Sequence, residues 1–107
     1  MGLTLSGKGA TSVMAEGRVR MLRPDSRATV ERGDIIVTDM TTPDMMDMMD
    51  KAAGFVTALG GRTCHAAVVA RAMGKACVVG VGDSILGLRE GMRVRVDGSS
   101  GTIEVLE

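Results

Sequence analysis

Aromatic residues are almost absent from this chain: it has no tryptophan, no tyrosine and one phenylalanine, Phe55. A surface for stacking nucleobases therefore cannot be assembled. No charge excess exists either, with 13 Lys and Arg against 13 Asp and Glu. A nucleic-acid binder normally carries a basic surplus to neutralise phosphates, so both shortages argue against nucleic acid as the main ligand. Long apolar runs are missing, and no membrane-spanning helix is expected. The opening "MGLTLSGKGA" lacks a basic segment followed by an apolar stretch, so no signal peptide is read there and a cytoplasmic location is expected. Histidine occurs once and cysteine twice. Cys64 and Cys77 form neither a disulfide framework nor a zinc knuckle, and one histidine cannot complete a His/Cys metal cluster. No metal site is expected, and both thiols are expected to be reduced.

What the chain does contain suits one small domain spanning residues 1–107. Ten methionines stand in for the missing aromatics as flexible core filler. The stretch "DMTTPDMMDMMDKAA" reads as one helix with methionines inward and aspartates outward. Thr42 can cap it, Pro43 suits its first turn, and Asp44 lies favourably near its positive end. The helix is expected to run to about Ala53, with Gly54 ending it.

Short apolar runs mark buried strands at "IIVTDM", "FVTAL" and "ACVVGVG". An earlier strand is expected within residues 12–24, around Val19, Met21 and Leu22. Residues 65–74 form a helix whose apolar stripe is Ala66, Val69, Ala70 and Met73, closed by Gly74. The tail "MRVRVDGSSGTIEVL" alternates on both sides of a Gly/Ser turn, which predicts a hairpin. Strand–helix–strand–helix–strand order through 35–81 implies a parallel sheet. The hairpin and the N-terminal strand imply a second, antiparallel layer. The fold class is therefore α/β, with a parallel central sheet, helices and a smaller antiparallel sheet.

The single histidine, His65, stands where a strand gives way to a glycine loop and then a helix. Helix-start N–H groups lack intrahelical partners, and the helix dipole adds positive potential there. Gly60 and Gly61 allow close backbone approach. Arg62 can add a charge-assisted contact, and Thr63 can cap the helix or bond the imidazole. The same potential favours neutral imidazole, whose lone pair is free. Three roles remain open on chemistry alone: a structural cap, a phosphoryl acceptor, or a general acid–base. No GxxxxGK[ST] element is present, so this is not a nucleotide P-loop. Thr41, Thr42 and Asp44 follow a strand end and can converge on the same region. Arg71, two turns into the helix, reads as an exposed residue or a site contact. Cys64 cannot pair with its neighbour His65 on a helix, and Cys77 reads as core.

The segment "GGRTCHAAVVAR" resembles the phosphohistidine signature of phosphoenolpyruvate-utilising enzymes, such as phosphoenolpyruvate synthase, pyruvate phosphate dikinase and enzyme I of the sugar phosphotransferase system. Gly60, Gly61, Thr63, His65, Ala66, Ala67, Val68, Val69, Ala70 and Arg71 all fit the pattern. "GDIIVTDMTTPDM", "GKACVVGVGD" and "GMRVRVDGSSG" extend the likeness from Gly33 onward, nearer to the synthase and dikinase group than to enzyme I. The resemblance implies a mobile, swivelling β/β/α domain. It implies that His65 takes up a phosphoryl group, at Nε2 by family analogy, and carries it between two active sites. It places those sites elsewhere, on an ATP-grasp nucleotide-binding domain and a phosphoenolpyruvate/pyruvate barrel domain in the same or a separate chain. Mg2+ and ATP belong with those partners, and this domain is expected to hold no cofactor. The alternative is a non-catalytic swivelling or interaction module that keeps only the fold.

Overall fold

In the computed structural model, residues 3–22 and 29–106 are described. Eight strands and two α-helices follow the chain. They are β1 (Thr4–Ser6), β2 (Lys8–Gly9), β3 (Met14–Met21), β4 (Ile35–Thr38), α1 (Met46–Lys51), β5 (Gly54–Thr57), α2 (His65–Met73), β6 (Ala76–Val79), β7 (Arg93–Asp97) and β8 (Thr102–Val105). Short 3-10 turns cover Pro43–Met45 and Gly82–Gly87. The strand expected within 12–24 is β3; Arg23 and Pro24 of that stretch lie outside the described residues.

The strand order is β1-β8-β7-β3-β4-β5-β6-β2. Pairing is parallel from β3 through β6 and antiparallel from β1 through β8 and β7 to β3. β3 thus belongs to both arms. Its first residues, Met14 to Arg18, pair with β7, and Val19 to Met21 pair with β4. β2 adds antiparallel to the outer edge of β6. Only Gly7 separates β1 from β2, so the two ends of the strand order are brought together.

Alternation along the buried strands builds three layers, because successive side chains face opposite sides. Ile35, Val37, Val56, Ala76 and Val78 face the antiparallel arm, where Val94, Val96 and Ile103 meet them. Ile36, Phe55, Cys77 and Val79 face the helices and pack on Met45, Met49, Ala66, Ala67 and Ala70. Phe55, the sole aromatic, is fully buried there. Shaving it to alanine would cost about 3–5 kcal/mol. The alanines keep α2 slim, so its backbone lies close on the sheet. The architecture is the expected β/β/α class, a parallel sheet with helices and a smaller antiparallel sheet.

The methionine helix differs from its expected form. A 3-10 turn occupies its start, and the α-helix proper ends at Lys51. Gly54 is not its cap but the first residue of β5. The terminal carbonyls are met instead by a side chain: Lys75 Nζ donates to the backbone oxygens of Met49, Asp50 and Ala52. The sidedness is as expected, with Met45 and Met49 buried and Asp44, Asp47 and Asp50 exposed. Helix α2 matches its expected range. It stops at Gly74 in the left-handed conformation, φ 71°.

Candidate functional site

Helix α2 begins at His65, with Cys64 in extended conformation as its N-cap. The first intrahelical bond runs from Val68 N–H to Cys64 O at 3.0 Å. No side chain caps the turn. The N–H groups of His65, Ala66 and Ala67 are therefore the unpaired donors of a helix start. Thr63, expected as a possible cap, is exposed in the preceding turn, one residue too early to serve. That turn is closed by Cys64 N–H bonding Gly61 O at 3.1 Å.

The chain reaches this turn through Gly60, whose φ is +106°. A Cβ there would lie 2.8 Å from Cys64 Sγ. Glycine is thus required twice over, by backbone conformation and by space. Gly61 has neither requirement: its φ is not positive, and an added Cβ would meet nothing within 4 Å.

Opposite His65 lies the end of β4. Parallel pairing of β4 with β5 sets Thr38 beside Thr57. Ala58 N–H and Leu59 N–H then bond Thr38 O and Asp39 O. This brings Thr41, buried, against the imidazole, with Oγ1 2.8 Å from Nδ1. Nε2 makes no hydrogen bond among the described residues. A cavity of about 140 Å³ opens here, lined by Met40, Thr41, Thr57, Leu59, Gly60, Cys64, His65 and Ala66. Thr57 is buried and donates to Leu59 O at 2.7 Å, stiffening the loop. Met40 and Leu59, which line it, are each more than half exposed, as is Val68 one turn along α2 from His65.

Of the residues singled out in the sequence, the structure gathers Thr41, Gly60, Cys64, His65 and Ala66 around the cavity. The others lie elsewhere. Thr42 is exposed and its hydroxyl bonds Asp44, an interaction that holds the Asp44 carboxyl below its usual range. Arg62 turns away, its Nε donating to Gly9 O at 3.3 Å. Arg71 donates from Nε to Ala10 O at 3.0 Å and from a terminal amino group to Arg62 O. Both arginines thus bind the N-terminal strand segment rather than the histidine cavity. Cys64 is half-buried beside the imidazole; Cys77 is core, and burial pushes its thiol up to about 12. Among the described residues no three His, Cys, Asp or Glu side chains gather as metal ligands, and no helix is long and apolar enough to cross a membrane.

The fold and this site together define a swivelling-type β/β/α domain with one half-buried histidine at a helix start. The model of the PEP-utilising enzyme mobile domain matches residues 30–101. The chain belongs to that family. It is 43% identical over 102 residues to a probable phosphoenolpyruvate synthase of Methanothermobacter thermautotrophicus, covering 94% of this chain and 15% of that protein. It is 46% identical over 100 residues to the phosphoenolpyruvate synthase of Pyrococcus furiosus, covering 92% of this chain and 12% of that one. A rifampicin phosphotransferase of Streptomyces sp is 41% identical over 102 residues, with 95% and 12% covered. The chain thus spans less than a sixth of the length of these relatives. Among solved structures, an Enzyme I solution structure is 34% identical with a TM-score of 0.63, covering 72% of this chain and 32% of that one. Aconitase X of Thermococcus kodakaraensis shares the fold alone, at 22% identity and TM-score 0.79 over 98% of this chain and 99% of the other.

Proposed function

We propose that this domain is a phosphoryl carrier in which Nε2 of His65 accepts the group. The carrying observation is the pairing of Nδ1 with the buried Thr41 hydroxyl. With the ring proton on Nδ1 and donated to Thr41 Oγ1, the lone pair resides on Nε2, which has no partner among the described residues. That nitrogen attacks the phosphorus of a donor. The Nε2–P bond forms as the P–O bond to the leaving group breaks, and the leaving oxygen departs with the electron pair. The unpaired N–H groups at the start of α2 supply donors and positive potential for the phosphoryl oxygens. Thr41 holds the ring's tautomer throughout.

The donor and final acceptor sites would lie on other domains or subunits: an ATP-grasp nucleotide site and a phosphoenolpyruvate/pyruvate site, which would also hold ATP and Mg2+. The short coverage of the synthase relatives supports such partners. The apolar rim of Met40, Leu59 and Val68 suits a surface that seals against a partner's active site during transfer and excludes water. A cytoplasmic setting fits this chemistry.

Incubation with phosphoenolpyruvate and a barrel domain from a synthase relative tests the reading by intact mass. One acid-labile phosphoryl group is expected, absent in His65→Ala. An adduct that survives acid or persists in His65→Ala overturns it. A chain that stays unmodified while its partner is active would instead support the non-catalytic module.

A further inference from the structure

A second, larger concavity lies along the other flank of α2, and its chemistry is independent of His65. It measures about 570 Å³, within the range that holds small ligands, and is floored by Ala70 and Gly74. Thr11, Ser12 and Gly98 form part of its far wall, and Arg62 and Arg71 line it as well. Among the described residues no acidic side chain lines it. Neither arginine has a carboxylate partner among the described residues, whose ion pairs involve Arg20, Arg93 and Arg95. Asp97, adjacent in sequence to Gly98, is spent on its own turn, accepting from Ser99 N–H, Ser99 Oγ and Ser100 N–H.

The two guanidiniums are also held in place. Each is anchored through Nε to a backbone carbonyl, of Gly9 for Arg62 and of Ala10 for Arg71. Arg71 further binds the backbone carbonyl of Arg62, and the two Nε anchors are the successive carbonyls of Gly9 and Ala10, so both side chains are tied to one segment beside the cleft. A guanidinium has five N–H donors. Anchoring consumes one of them on Arg62 and two on Arg71. The remainder are terminal amino hydrogens, the fork that reads planar oxyanions. Two cations lining one cleft without a counter-charge repel each other, and an anion bound between them relieves that repulsion. Thr11 Oγ1 accepts from Val13 N–H at 3.4 Å and keeps its own proton to donate.

We infer that this cleft binds a small phosphate-bearing anion, held by Arg62 and Arg71 with help from the Thr11 and Ser12 hydroxyls. It would be a site distinct from the His65 cavity, sharing with it no lining residue, although both border α2. The inference stands whether or not His65 carries a phosphoryl group.

Inorganic pyrophosphate is the probe, titrated into the 107-residue chain at low salt and followed by amide NMR and calorimetry. Saturable shifts are expected at Thr11, Ser12, Gly74 and Gly98. Arg62→Gln and Arg71→Gln should each weaken binding about tenfold, while His65→Ala leaves it unchanged. Because Arg71 also anchors the N-terminal segment, Arg62→Gln serves as the variant least exposed to folding loss. Glycerol phosphate in a parallel titration tells an ester ligand from an inorganic one: binding of both assigns the phosphate group, and binding of pyrophosphate alone assigns the inorganic polyanion. Three results overturn the proposal: no saturation at millimolar probe, shifts confined to residues 60–67 that vanish in His65→Ala, or affinity unaltered in Arg62→Gln.

Discussion

Thr41 Oγ1 and His65 Nδ1 stand 2.8 Å apart across 24 residues of sequence. In the proposed transfer Thr41 would act through the ring, as a positioning residue. Thr41→Val preserves shape but removes the hydroxyl. Imidazole 15N shifts should then show a mixture of tautomers where the wild type shows the Nδ1–H form. Phosphoryl uptake should fall by about 10- to 100-fold, while the urea midpoint moves little. Uptake at the wild-type rate in Thr41→Val would remove Thr41 from the mechanism.

The glycine pair before His65 offers a contrast within two adjacent positions. Gly60→Ala must place a methyl at positive φ and against Cys64 Sγ. A loss of about 1–3 kcal/mol is expected in chemical denaturation. Gly61→Ala has open space and ordinary φ, and should stay within about 0.5 kcal/mol of wild type. Equal losses at the two sites would contradict the loop geometry described.

Thiol chemistry should separate the two cysteines. Iodoacetamide at pH 8 is expected to modify Cys64 and spare Cys77 until the chain unfolds, since Cys77 is buried and its thiol is pushed up to about 12. Mass spectrometry of peptides reads the order directly. The same upward shift has a consequence for stability. From its ordinary value of 9.0 up to about 12, the unfolded chain releases this proton while the folded chain retains it, so stability falls as pH rises through that window. At pH 10 the loss is about 1 kcal/mol relative to neutral pH. Cys77→Ala should lack this alkaline component, whatever its baseline stability.

Lys75 does for α1 what a C-terminal glycine was expected to do. Its ammonium donates to three carbonyls at the helix end. Lys75→Met keeps the aliphatic stem but leaves those oxygens without the charge, at a cost of about 1–3 kcal/mol by urea unfolding. Faster hydrogen exchange should follow in 46–52 while β7 and β8 keep their protection. An unaltered midpoint would mean that water replaces the lysine at no cost.

Local pattern carried most of the fold. β4, β5 and β6 read from unbroken runs of small apolar residues, and α2 from its alanine stripe and closing glycine. The 3-residue β1 and 2-residue β2 are too short to show any period, and only pairing with β8 and β6 makes them strands. His65 and Gly60 were legible because they share one contiguous segment. Thr41 was one of three neighbouring candidates, and choosing it over Thr42 required the register of β4 on β5, which no local sequence states. Arginine suggests an anion, so the sequence points Arg62 toward the histidine and leaves Arg71 as either an exposed residue or a site contact. Their actual partners are backbone carbonyls of residues 9, 10 and 62, which carry no side-chain signature.

The divided pairing of β3 bears on the order in which the chain can fold as it is made. Val19 to Met21 find β4 only 16 residues downstream, whereas Met14 waits for Asp97, 83 residues away. A growing chain can therefore assemble the parallel half and seat α1 and α2 on it early. Until β7 emerges, the inner face of that half, with Ile35, Val37, Val56 and Val78, stays uncovered. The His65 loop would be built on a scaffold still open on its opposite side, and the later-made β7–β8 hairpin closes it.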